Sequence, residues 1–172
     1  MAKVFDIKEN KPYPNSSLPV LFYPEAVKEL ANSKNNGEEV QLFLEKNGYT
    51  NGWIGGIFTY HHFHSNTHEV LVCISGEAQV QLGGPDREIY PFKMGDALLL
   101  PAGVAHKLIK ATDDFQIVGA YPEGKEPDMQ KGDTNNYEEM KINISRLGIP
   151  EYDPIEKTQG GVFEYWDKFM IN

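Results

Sequence analysis

Cysteine, long apolar runs and positive charge are all scarce in this chain of 172 residues. Its single cysteine, Cys73, has no partner for an intramolecular disulfide, which excludes a disulfide-stapled scaffold and agrees with a reducing compartment. No stretch approaches the ~18 uninterrupted apolar residues that span a bilayer, and the first residues show no apolar segment behind a basic start. We therefore expect a cytoplasmic protein that does not enter a membrane.

The deficit of positive charge argues against a nucleic-acid partner. Lys and Arg number 16 and Asp and Glu 25, which gives a formal net charge of −9. A surface that binds polynucleotides needs clustered Lys and Arg to displace counterions from phosphates. The hydrophobic fraction of 40% and the charged fraction of 24% instead indicate a globular domain with a sizeable core.

Between residues 56 and 121, short β-prone runs alternate with turn residues at the ~8–12-residue spacing of antiparallel sandwiches and barrels. One more run, LPVLFY at 18–23, precedes them, and a helix is predicted over 37–47. We predict an all-β fold with a few peripheral helices. The seven runs are IFTYHHFH, EVLVCI, AQVQLG, REIYPFK, DALLLP, HKLIKA and FQIVGAY.

Potential metal ligands are concentrated in residues 56–76, GIFTYHHFHSNTHEVLVCISG. Side chains alternate across a strand, so His62 and His64 would share one face, with Cα atoms ~7 Å apart and both imidazoles able to reach one ion. Glu69 follows a polar run that lets the chain bend back on the next strand. These three residues form the first part of a predicted metal site.

A second segment, GDALLLPAGVAH at 95–106, places His106 behind a Pro-x-Gly turn, where it is the natural fourth ligand. Three imidazoles and one carboxylate suit Fe, Mn, Ni, Co or Zn, whereas Mg and Ca prefer oxygen ligands. Around an octahedral ion this set leaves two positions open for a small molecule. His61 and His68 are out of phase with the ligands, and we expect neither to bind the metal.

The two segments resemble the paired motif of the cupin superfamily, also called RmlC-like. Lys110 stands where the second motif has Asn, which affects a supporting position and not the ligand set. The runs HHFHSNTHEVL, LPAGVAHK and DDFQIVGAYPEG further resemble the small single-domain bacterial YjlB-like cupins. The positions that match the motif are Gly56, His62, His64, Glu69, Gly76, Gly95, Pro101, Gly103 and His106.

The resemblance implies a jelly-roll barrel, or double-stranded β-helix, in one cupin domain over residues 1–172. Its barrel core would cover about 53–121, with a strand and helices at 18–50 before it and a helix and wrapping tail at 122–172 after it. Cupins of this size resemble homodimers. The LPVLFY run could pair with a partner's sheet, or it could be an edge strand of its own sheet.

Two classes of function fit these features. The first is a metal-dependent enzyme, of oxygenase or isomerase type, that acts on a small polar metabolite. Tyr60, in phase with His62, could donate a proton to the bound ligand or could simply pack. The second is a non-catalytic cupin that binds or senses a small molecule, or a metal site that only stabilises the barrel.

Three further side chains could belong either to the site or to the structural core. Trp53 could line the cavity or fill the core. Gln79 and Gln81 lie on a predicted strand and could orient a substrate if they face inward.

Overall fold

The computed structural model describes residues 1–167, which form two antiparallel β-sheets with three helices beside them. The helices are α1 (Lys28–Ala31), α2 (Asn36–Lys46) and α3 (Tyr137–Ser145), and a π-helical turn covers Val162–Trp166. The strands are β1 (Lys3–Phe5), β2 (Val20–Tyr23), β3 (Tyr49–Gly55), β4 (Glu69–Ser75), β5 (Glu77–Leu82), β6 (Ile89–Lys93), β7 (Ala97–Leu100), β8 (His106–Ala111) and β9 (Gln116–Pro122).

The larger sheet has the order β1-β2-β7-β4-β9-β3, and the smaller one has the order β6-β5-β8. Six of the seven predicted runs form β4 to β9, and the predicted helix at 37–47 forms α2. The all-β prediction is confirmed. Within residues 1–167, no helix is both long and apolar enough to cross a membrane. The division into a single domain stays a prediction.

Strand β4 is buried on both faces because each face packs against a different core. Val70, Val72 and Ile74 face a core that α2 and the C-terminal residues cover, while Leu71 and Cys73 face the space between the two sheets. A strand with two covered faces needs an unbroken apolar run, which EVLVCI supplies. Glu69 is in phase with Leu71 and therefore points between the sheets. Cys73 is fully buried, as a core thiol.

The prediction of a strand over 57–64 is wrong. This segment pairs with two different neighbours through isolated bridges, His62 with His106 and Phe63 with Gln130, so no continuous ladder forms. The preceding turn-rich stretch instead forms β3, whose pairing with β9 shifts between Thr50 and Trp53. The bulge accounts for the turn-like residues inside that strand.

The LPVLFY run forms β2, which is hydrogen-bonded to β1 on one side and to β7 on the other. Both of its edges are therefore occupied within the chain. The interpretation of this run as an edge strand, or as a strand that pairs with a partner's sheet, is wrong. The N-terminal residues Lys3–Phe5 supply the edge that covers it.

Residues after α3 cover the outer face of the larger sheet. Trp166 is fully buried there, and its indole Nε1 donates to the Pro19 carbonyl oxygen at 2.8 Å. Asp153 is also fully buried, and its carboxylate accepts from the Tyr23 hydroxyl at 2.7 Å. Backbone N–H groups of residues 155, 156 and 162 donate to the same carboxylate. Phe169, predicted to belong to this tail, lies outside the described residues.

We expect the substitution Asp153→Ala to lower the free energy of unfolding by about 3 kcal/mol, because the Tyr23 hydroxyl and three backbone N–H groups lose a charged acceptor. Urea unfolding followed by tryptophan fluorescence measures this change. Glu151→Ala removes an exposed carboxylate from the same segment and serves as the control, with little expected effect. Equal stability of the two variants would contradict an anchoring role for Asp153.

Candidate metal centre

Backbone pairing brings the histidines of the two segments together. His106 is the first residue of β8, and it exchanges two backbone hydrogen bonds with His62, at 3.2 and 2.9 Å. The centroids of their imidazole rings are 4.0 Å apart, and the His64 ring lies 5.9 Å from that of His62 and 5.6 Å from that of His106. All three side chains are buried, and their ligand nitrogens lie within 4.8 Å of one another. Three buried histidines could thus bind one metal ion.

Each imidazole is held by a backbone carbonyl on its Nδ1 side. His62 Nδ1 lies 3.0 Å from the Tyr60 oxygen, His106 Nδ1 lies 3.0 Å from the Val104 oxygen, and His64 Nδ1 contacts the Asp128 oxygen. A carbonyl only accepts hydrogen bonds, so each Nδ1 carries a proton, and in the neutral form of each imidazole the lone pair is on Nε2. Such outer hydrogen bonds are typical of histidines that bind metals, because they fix both the tautomer and the ring orientation.

Glu69, the first residue of β4, lies beside two of the three histidines. Its Oε1 lies 3.4 Å from His64 Nε2 and 3.5 Å from His106 Nε2, and the residue is 3% exposed. Burial alone would raise the pKa of Glu69, but the contacts with His106 and His64 outweigh it and lower that pKa. The carboxylate is therefore ionised at neutral pH. The site thus combines one ionised carboxylate with three imidazole nitrogens.

The electrostatics of the imidazoles also suit a metal. Burial, together with the neighbouring His106, lowers the pKa of His62 to about 3. Burial opposes protonation of His64 as well, but the Glu69 carboxylate prevails and raises the pKa of His64. In the metal-free cluster the Glu69 carboxylate therefore favours a proton on His64, and a divalent transition metal would have to displace that proton, because it binds neutral imidazoles together with a carboxylate.

The close approach of two loops depends on Gly103. Its N–H donates to the His64 carbonyl oxygen at 2.8 Å, which ties the Pro-x-Gly turn to the first histidine segment. Gly103 has a φ of +99°, and a Cβ there would collide with the carbonyl oxygen of Asn15. Both the backbone conformation and the tight space therefore require glycine. Asn15, which is buried, also accepts from the Ala105 N–H and so holds the turn that leads into His106.

The cluster opens onto a cavity of about 230 Å³. Trp53 and Tyr121 line it, and the Trp53 indole Nε1 donates to the Tyr121 hydroxyl oxygen at 2.8 Å. Gly119, opposite Trp53 in the sheet, has no side chain and so leaves the space that the indole occupies. Burial and the negative charge of Glu69 raise the pKa of Tyr121, which keeps its proton. Both interpretations of Trp53 apply, because it lines the cavity and also packs against the core between the sheets.

Two residues beside the cluster, Tyr121 and Asp128, escaped the sequence analysis. Asp128, in the loop between β9 and α3, accepts from the Ser65 N–H at 2.7 Å, from the Ser65 hydroxyl and from the Gln130 amide at 3.0 Å. These bonds hold the loop where its carbonyl meets His64. An aspartate in a polar loop carries no spacing pattern that relates it to a distant histidine, so contacts alone identify it.

The other residues singled out in the sequence lie away from the histidine cluster. His68 faces the opposite side, where its Nδ1 accepts from the Ala102 N–H and its Nε2 donates to the Gly148 oxygen. His61 packs beside Tyr13, with ring centroids 5.6 Å apart. Both histidines are outside the cluster, as their phase predicts.

Gln79 and Gln81 do not face the cavity, so the prediction that they could orient a substrate is wrong. Gln79 is exposed, and the Gln81 amide donates to the Arg87 carbonyl at 2.9 Å, because Ala78 and Val80 occupy the inward positions of β5.

Tyr60, the predicted proton donor, lies beside Phe58 and His62 but does not line the cavity. Its ring centroid is 5.6 Å from that of His62, and it stacks on Phe58 at 5.0 Å. The side chain is 37% exposed. Its catalytic role stays a prediction.

Comparisons with known proteins agree with this arrangement. The sequence profile of the cupin domain family matches residues 53–118. A protein of Bacillus subtilis (strain 168), "Uncharacterized protein YjlB", is 42% identical over 128 residues, which cover 74% of this chain and 78% of that protein. The chain belongs to the cupin superfamily. Within that superfamily it is similar to the YjlB-like proteins, as its motifs predict.

Solved structures that resemble the chain include two cupin enzymes. The sugar 3,4-ketoisomerase QdtA of Thermoanaerobacterium thermosaccharolyticum has a TM-score of 0.44 and 18% identity, over 58% of this chain and 77% of that chain. Acireductone dioxygenase of Bacillus anthracis, solved with a cadmium ion in its active centre, has a TM-score of 0.39 and 19% identity, over 63% and 82%. Likeness at this level says nothing about the reaction of this chain.

We expect Asp128→Ala to weaken metal binding about tenfold or more, because the loop loses the bonds that hold its carbonyl against His64. Titration of the metal-free protein with Co(II), followed by visible absorption, measures the affinity. Glu126→Ala changes an exposed carboxylate in the same loop and is the matched control, with an affinity like that of the unmodified chain. If both variants bound cobalt equally well, the proposed support of His64 by this loop would be wrong.

Proposed function

We propose that the chain is a metal-dependent enzyme, of oxygenase or isomerase type, that acts on a small molecule at a site formed by His62, His64, Glu69 and His106. The observation that carries this proposal is the orientation of the imidazoles, each with Nδ1 bound to a carbonyl and Nε2 left to bind a metal. The metal would be Fe, Mn, Ni, Co or Zn, since nitrogen donors predominate.

In this proposal the metal and the side chains around it have different roles. Such a metal supplies a Lewis acid and a template for an oxygen-donor ligand. Glu69 provides the negative charge that balances the ion, and the apolar walls exclude water from it. The Tyr121 hydroxyl oxygen accepts from Trp53, so its own proton is available to Glu69 or to a bound ligand. Tyr60, whose ring lies beside that of His62, is kept as a second candidate proton donor.

A non-catalytic cupin that binds or senses a small molecule is the alternative, and the cavity beside the cluster favours it as much as it favours an enzyme. The same cavity weighs against a purely structural metal, because structural sites are closed by protein side chains. The phenol of Tyr121 in the cavity favours the enzyme over the binding protein, since binding alone does not need a proton donor there.

Homodimerisation and a cytoplasmic location are also part of the proposal. Size and superfamily support a homodimer. Strand β2 is not a free sheet edge, because both of its edges are paired within the chain, whereas β1 and β3 are the edge strands of the larger sheet. The single buried cysteine supports a reducing compartment.

The first test is metal content. Protein purified without a metal-binding tag is expected to hold near-stoichiometric transition metal by elemental analysis. His62→Ala removes one of three convergent nitrogens and is expected to lower metal affinity by about 10²-fold or more. His61→Ala, a histidine next in sequence but outside the cluster, is the matched control and should retain the metal. Equal metal content in both variants would contradict the proposed metal site.

The second test is turnover. Dioxygen uptake and isomerisation are measured on the metal-loaded protein with a panel of hydroxy acids, diketones and thiols. With any substrate found, Tyr121→Phe is expected to lower kcat by about 10²-fold while the metal is retained, because a proton donor is lost. Tyr60→Phe tests the other phenol in the same way. Stoichiometric metal without turnover of any compound would favour the binding or sensing function.

A further inference from the structure

The cavity beside the metal centre combines polar and apolar walls. The histidines, Glu69 and Tyr121 form a polar region at the metal site, and most of the other residues that line the cavity are apolar. Leu71 and Ile117 come from neighbouring strands of the larger sheet, with at most 1% of either residue exposed. Ile57 and Met129 add apolar surface from the two loops that flank the cluster. A ligand that reaches the metal site therefore also lies against hydrocarbon.

The outer part of the cavity also presents large apolar groups to solvent. Phe58 is 50% exposed and Met129 is 42% exposed, and both line the cavity. The Phe58 ring stands edge-on to His62, with centroids 5.3 Å apart and planes at 77°, so it adjoins the metal ligands directly. Single exposed apolar side chains are ordinary, but two at one cavity mouth mark a place where apolar surface becomes covered.

The volume limits what can fill this space. An apolar cavity of ~150 Å³ holds one benzene molecule. The cavity here measures about 230 Å³, which leaves room for one ring and a short polar group. A wholly polar molecule of this size would lose its hydration against walls that return no hydrogen bonds, at a cost of several kcal/mol.

We propose that the ligand of this site is amphipathic. It has a head with two oxygen donors, which binds at the metal beside Tyr121, and a compact apolar body, a single ring or a branched chain of similar size, which lies between Phe58, Leu71 and Ile117. This inference rests on the proposed metal centre. It replaces the small polar metabolite expected from the sequence with a ligand that is polar at one end.

The test compares two hydroxamates that share a chelating head and differ in their bodies. Acetohydroxamate carries a methyl group and benzohydroxamate a phenyl ring. Both are titrated into the Co(II)-loaded protein, and their dissociation constants are measured by visible absorption and calorimetry. The same pair is titrated into aqueous Co(II) to correct for their intrinsic affinities. After this correction, we expect benzohydroxamate to bind at least about tenfold more tightly, because its ring leaves water.

Two variants locate the effect. Phe58→Ala truncates an exposed ring, so folding should be preserved, and it is expected to weaken benzohydroxamate binding about fivefold and acetohydroxamate binding less than about twofold. Leu42→Ala, on α2, truncates a side chain that is 49% exposed away from the cavity and serves as the control. It should alter neither affinity.

The outcomes separate this inference from the proposed function. If the protein retains cobalt but its two hydroxamate affinities have the same ratio as the affinities for aqueous Co(II), the proposed apolar body of the ligand is wrong and the proposed metal centre is still supported. If the protein retains no cobalt, the metal centre fails, and the amphipathic ligand fails with it. A corrected preference for benzohydroxamate that Phe58→Ala reduces and Leu42→Ala leaves unchanged supports both.

Discussion

A strand that is covered on both faces determines how the rest of this chain is arranged. Because β4 has a packed core on each side, the direction of every side chain in it is fixed. One set packs against the helices and the C-terminal residues, and the other faces the space between the sheets. A shift of one residue would exchange the two sets and place Glu69 in the outer core, with a charge and no partner. The hydrophobic register of β4 therefore also fixes the position of the carboxylate, before any metal is considered.

The histidines depend on a second constraint, which is backbone hydrogen bonding and not side-chain packing. His62 and His106 exchange backbone bonds, and the three Nδ1 atoms bind carbonyl oxygens. These acceptors are provided by every residue type, so the side chains of Tyr60 and Val104 are not what orients the rings. This leaves the sequence around the ligands free to vary on the cavity side, where it determines what the site accepts.

The strands formed by short β-prone runs between turn residues were predictable from sequence, and the parts built from single contacts were not. Strands β4 to β9 follow from such runs, and Glu69 and His106 were identified by their places in the paired motif. The segment at 57–64 was predicted as a strand because its residues are β-prone, but its two neighbours each pair with only one or two of its residues. Asp128 and Asn15 act through bonds across 63 and 90 positions, and no local pattern encodes such distances.

The loop that carries Asp128 has two duties at once. It supplies Met129 to the cavity wall, and it supplies the carbonyl that holds His64. Any ligand large enough to push this loop aside would also release His64 from its acceptor. Ligand size and metal affinity are then thermodynamically coupled, and the coupling is reciprocal: a tightly held metal keeps the loop in place and so restricts the cavity to ligands that fit without moving it. The metal centre would in this way act as a size filter for its own substrate.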